Sequence, residues 1–136
     1  MDGRLLGVDY GRKLIGLALS EGLGATPLGF VAREHDQQAA QVVAALAARE
    51  GVAGIVVGLP LNADGSSGPA ARWAKLFVEA LARRTAIPIH RQDERHSSEE
   101  AEEQLRLAGK WPCDPGWLDA QAAAIVLRRY LLARPD

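Results

Sequence analysis

At 136 residues, with 48% hydrophobic and 24% charged side chains, the chain has the length for one globular domain but not for two lobes closing over a cleft. A formal net charge of −1 provides no global positive field, so any binding to nucleic acid needs a local basic patch. The single Cys113 cannot form an internal disulfide. No apolar run approaches the ~20 residues of a membrane span, and the start lacks a basic-then-apolar leader, which together predict a cytoplasmic protein.

In chain order, residues 4–9 read as a buried strand and Leu14–Ser20 as a second with Gly16 inside it. Leu28–Arg33 reads as a third strand after a Gly/Pro-containing turn. Short connections predict that these three form an antiparallel meander. From Asp36, apolar residues at 39, 42, 43, 46 and 47 recur at helical spacing, with Gly51 as the stop. Ile55-Val56-Val57 is continuous and β-branched, as in a central strand covered on both faces and parallel to the first.

Asn62–Gly68 reads as a loop, and Pro69 suits the first turn of a helix whose predicted buried stripe is Trp73, Leu76, Phe77, Ala80 and Leu81. A strand from Ile87 to Arg91 leads to Asp93-Glu94-Arg95. Ser97 with Glu100 has the pattern of a capping box opening a short acidic helix that ends at Gly109. After a loop with two prolines and two tryptophans, Leu118–Ala133 is the last predicted helix, with Asp119, Ala122, Ala123, Val126 and Tyr130 on one stripe. The order β-β-β-α-β-α-β-α-α predicts an α/β fold of the ribonuclease H-like type. Its mixed five-stranded sheet would hold three antiparallel strands, then parallel ones, flanked by helices.

Three acids far apart in sequence fall where elements meet one sheet edge: Asp9, Glu94 and Asp119. Each has an ordinary explanation: a turn residue, a solvated charge before a helix, and a helix-opening acid near the dipole. Together they suggest a metal-dependent phosphodiesterase, because carboxylates turned inward repel unless a cation pairs with them. His35, His90 and His96 lie at no ligand spacing and Cys113 has no companion. Oxygen ligands for Mg2+ or Mn2+ therefore fit better than a zinc site.

The loop Asn62–Gly68 lacks P-loop spacing; it reads either as a surface turn or as a loop whose amides and hydroxyls touch a phosphodiester backbone. Trp111 and Trp117 read as loop anchors rather than base-stacking platforms. Arg12, Lys13 and Arg95 have the charge and position to hold a scissile strand, and Asn62 and Ser66 are the polar loop residues placed to join them.

With these residues in view the chain resembles the YqgF/RuvX family, pre-16S ribosomal RNA nucleases related to the Holliday junction resolvase RuvC. The resemblance runs nearly end to end: Asp9-Tyr10-Gly11 with Ile15-Gly16-Leu17-Ala18, Val57-Gly58-Leu59-Pro60-Leu61-Asn62 with Asp64-Gly65-Ser66, Asp93-Glu94-Arg95 with Ser97-Ser98, and Asp119-Ala120 with Ala122-Ala123. It implies catalytic, metal-binding carboxylates at Asp9, Glu94 and Asp119 and a cytoplasmic role in trimming the 5′ end of small-subunit rRNA. Arg12, Leu14, His96 and Gln121 depart from the family's usual residues. Gln121, about 200° around the helix from Asp119, points away from it.

The mechanism so implied has Asp9 bridging two cations about 4 Å apart, Glu94 and Asp119 completing one site each, and in-line attack leaving 5′-phosphate and 3′-hydroxyl ends. The substrate is structured RNA or branched DNA, and symmetric cutting of a junction would require a homodimer. Two other readings stay open: an ATPase of the sugar kinase and actin type, which needs a second lobe, and a non-catalytic RNA- or protein-binding adaptor.

Overall fold

The computed structural model describes residues 3–62 and 64–134. Among the described residues, nine elements follow the predicted order: β1 (Leu5–Asp9), β2 (Leu14–Glu21), β3 (Gly24–Ala32), α1 (Asp36–Glu50), β4 (Gly54–Leu59), α2 (Pro69–Ala82), β5 (Ile89–Asp93), α3 (Ser97–Leu107) and α4 (Pro115–Ala133). The strands form one sheet in the order β3-β2-β1-β4-β5. β1 is antiparallel to β2 and parallel to β4, and β4 is parallel to β5. The sheet is thus the mixed ribonuclease H-like one, with β1 at its centre.

Period-2 alternation splits the core in two. Leu6 and Val8 of β1, Ile15 and Leu17 of β2, and Ile55 and Val57 of β4 face α1 and α2, meeting Ala40, Val43, Phe77 and Leu81. Leu5, Ala18 and Val56 face the other way, onto Ala123, Val126, Leu127 and Leu131 of α4. α3 packs on α4 through Ala101, Ala122 and Ile125. Small residues on α4 let it lie close to the sheet, as its alanine-rich stripe predicts.

Several predicted boundaries and contacts differ. β3 begins at Gly24, so the segment read as a turn is strand. Pro27 is tolerated there because β3 is an edge strand, where a missing N–H costs no ladder bond. β5 runs two residues later than predicted, so Glu94 follows it directly. On α2 the buried stripe is Ala71, Ala74, Phe77, Val78 and Leu81, whereas Trp73 and Leu76 are exposed. Ala71 and Ala74 share the inner face with Phe77 and Leu81, so the stripe lies one step round the helix from Trp73 and Leu76, which helical spacing had placed inside.

The expected capping box does not form. Ser97 is itself helical and buried, the N-cap is His96, and the Glu100 carboxylate is taken by Arg129. α4 starts at Pro115, three residues before the predicted Leu118, and its first turn contains no acid. Asp119 is therefore not a helix-opening residue, and the dipole explanation for it lapses.

Candidate active site

Alternation also decides which way the acid ending β1 points. Leu5 belongs to the α4-side core, and Gly7 lies against Ala123 and Leu127 of α4; Asp9, two further on, faces the same helix. Its neighbours on both adjoining strands are glycines. Asp9 pairs with Gly16 on β2, and the parallel register that sets Val8 beside Val57 continues to Gly58 on β4.

At Gly16 a Cβ would overlap the Asp119 carbonyl; at Gly58 it would overlap Oε1 of Glu94. Bare backbone on each side thus lets α4 and the Glu94 side chain converge on Asp9. Glu94 is pinned by its own backbone, whose N–H donates to Leu59 O (3.0 Å), extending the β4–β5 ladder by one residue.

The electrostatics follow from burial. Asp9 is only 8% exposed, and its carboxyl lies within hydrogen-bonding reach of the Glu94 carboxyl. Burial pushes Asp9 up to about 7, with the charge of Asp119 adding to the effect. Burial and then repulsion from Asp9 push Glu94 up to about 10. At neutral pH the pair therefore holds a proton between its carboxyl groups. Burial also raises Asp119, to about 6. Glu94 Oε1 is buried and, among the described residues, has no hydrogen-bond partner, a condition that costs ~1–3 kcal/mol.

Among the described residues, no three His, Cys, Asp or Glu side chains stand together as a ready-made metal cage. The donor set nevertheless fits a hard divalent cation in its chemistry. Its donors are all oxygen, its charges repel, and one buried acceptor lacks a partner. Asp119, partly exposed, is the member that would have to turn inward.

The five polar residues assigned to substrate holding are dispersed. Arg12 stacks its guanidinium over Trp73, 4.3 Å from the ring centre, at the turn after β1. Lys13 is exposed, and its carbonyl accepts from Arg33 N. Asn62 Nδ2 donates to Ser66 Oγ (3.0 Å), and Ser66 Oγ donates to Asp64 Oδ1 (2.6 Å), so this loop is tied to itself. Arg95 lies beside it, within 3.7 Å of where a Cβ on Gly65 would stand, and pairs with Asp93 (2.7 Å).

Gln121 donates to Gln104 on α3 (2.6 Å). Trp117 packs edge-on against Phe30, and Trp111 lies under Arg106. Gly16 and Gly58 went unassigned in the sequence, although a lone glycine inside a strand is a signal of close approach.

The ribonuclease H-like sheet, with Asp9 at the end of its central strand, is an architecture that recurs in other proteins. Solved structures share the fold. RuvC of Thermus thermophilus in complex with a Holliday junction substrate superimposes with a TM-score of 0.65 at 18% identity, over 97% of this chain and 95% of that one. The Fowlpox virus resolvase gives 0.57 at 10% identity, over 96% and 99%.

The chain belongs to the RuvX family, described as Holliday junction resolvase, whose profile matches residues 3–133. Relatives named "Putative pre-16S rRNA nuclease" include one from Anaeromyxobacter sp. (strain Fw109-5), 45% identical over 96% of this chain and 98% of its own length. Another, from Chloroflexus aggregans, is 40% identical over 96% and 94%.

Proposed function

We propose that this chain is a divalent-metal-dependent nuclease that hydrolyses phosphodiester bonds at the Asp9–Glu94–Asp119 edge, acting on the 5′ end of precursor 16S rRNA in the cytoplasm. The observation that carries the reading is the buried Asp9–Glu94 pair, cradled by Gly16 and Gly58, with an unpartnered acceptor at Glu94 Oε1. Carboxyl groups held so close are destabilising on their own, and a fold keeps such a feature where it is used.

Asp9, Glu94 and Asp119 would hold Mg2+ or Mn2+, with two ions matching the donor count. The bound cation supplies Lewis-acid activation of water and neutralises charge on the scissile phosphate. Asp9 and Glu94 lose their shared proton as ligands form. Arg12, stacked on Trp73, would offer its in-plane N–H groups to a phosphate, and Lys13 would add exposed charge beside it. Asn62 and Ser66 in the loop after β4, and Arg95 beside that loop near Gly65, would contact the substrate strand as well.

A second reading rests on the family description: a four-way DNA junction as substrate, which two copies of the chain would have to cut symmetrically. Purified protein with Mg2+ or Mn2+ is offered a precursor rRNA fragment and a synthetic junction. Cutting of the RNA at its mature 5′ end, abolished by chelator, supports the first reading. Paired nicks in the junction alone would replace it with the second, and binding without product in either metal would leave an adaptor.

A further inference from the structure

Glu94 sits on a turn whose geometry the backbone does not favour. Ser97 N donates to Glu94 O (3.0 Å), closing a four-residue turn, and His96 within it has φ 62° and ψ 14°. It is the one non-glycine residue with positive φ among the described residues. A side chain in that region costs roughly 1–2 kcal/mol, so surrounding contacts must hold the turn.

Those contacts come from α4. Arg129 Nη1 donates to Arg95 O (2.9 Å) and Asp93 O (3.4 Å), the two carbonyls flanking Glu94, while Nη2 pairs with Glu100 Oε1 on α3 (3.2 Å). Its side chain is 28% exposed, so the bonds are partly shielded from water. One planar fork thus ties the Glu94 turn to the helix that also carries Asp119. With Leu59 O holding Glu94 from the N-terminal side, the residue is fixed at both ends.

We infer that Arg129 is a positioning residue for the cation site, a clamp that sets the Glu94 carboxyl against Asp9 and Asp119 without touching substrate or metal. The inference rests on the metal-dependent reading above. A guanidinium is suited to the role because its donors diverge in a fixed plane; an ammonium reaches one carbonyl as a point charge.

The test uses full-length Arg129→Met and Arg129→Lys with Mn2+ as the probe. Calorimetric affinity without substrate, amide exchange at Ser97 in metal-free protein, and cleavage kinetics are measured. Arg129→Met should weaken Mn2+ binding by about 10-fold or more, speed Ser97 exchange and lower kcat at little cost in KM. Arg129→Lys should fall between it and wild type.

Wild-type Mn2+ affinity in both variants would overturn the clamp, as would a rise confined to KM, which would mark a substrate contact. If Arg129→Met does not fold, Arg129→Lys decides: an intermediate affinity supports the inference and an unchanged one sinks it. Wild-type protein that binds no Mn2+ would instead bring down the metal-dependent reading, and the clamp with it.

Discussion

Glu94 rests its carboxyl on the bare backbone of Gly58, one strand away from Asp9, at a spot where any Cβ would displace it. Gly58→Ala should therefore push the Glu94 carboxyl out without breaking the sheet, because the nearest atoms in the way are the far end of a flexible side chain, and Glu94 Cβ, at 3.1 Å, has to give only slightly. Thermal unfolding is expected to change little, since Oε1 regains water, while cleavage falls by about 10- to 100-fold. Gly16→Ala meets the backbone of Asp119 and Ala120 instead, which cannot step aside, and should cost about 1–3 kcal/mol. Urea unfolding and cleavage measured on both variants check the contrast; equal stability loss in the two would contradict it.

The pH dependence of the metal-free protein follows from the raised carboxyls. Asp9 at about 7, Glu94 at about 10 and Asp119 at about 6 all lie above their unfolded values. The native state then binds more protons than the unfolded chain. This contribution is fully present below about pH 4 and is lost as pH rises through the folded values. Asp9→Asn, which cannot ionise, should exceed wild type least near pH 5 and increasingly toward pH 8 in chelator. Mn2+ should stabilise wild type more at pH 8 than at pH 5, since ligands must lose their protons. Melting curves at the two pH values, with and without Mn2+, read both effects; a difference that shrinks with pH would refute the proton-holding pair.

His96 occupies the left-handed region with an exposed side chain whose contact with Glu99 (2.8 Å) adds little in water. His96→Gly should be neutral to stabilising and His96→Val destabilising, the two differing by about 1–2 kcal/mol. Urea midpoints decide it. Equal stability in the two variants would mean the turn is not strained.

Much of this arrangement is legible in the sequence because alternation and spacing are local. The element order and the small-residue face of α4 follow from patterns within single segments, and the central place of β1 follows from the fold type that this order implies. What was not legible depends on partners distant in sequence. Pro27 reads as a turn until β3 is known to be an edge, and Ser97-x-x-Glu100 reads as a cap until Arg129 takes the carboxylate. Trp73 reads as core until alanines are seen to hold the inner face of α2 and Arg12 to cover its ring. Arg129, one arginine among several on a helix, carries no local mark of its role.

The direct measurement for the whole account is Mn2+-dependent cleavage of a precursor 16S rRNA fragment by wild type and Asp9→Asn, each first shown by melting to be folded. Wild type should cut and be silenced by chelator, while Asp9→Asn, folded and neutral at the centre of the pair, should lose cleavage by about 10³-fold or more. Cutting by Asp9→Asn at the wild-type rate would contradict the claim that these carboxyls carry the chemistry.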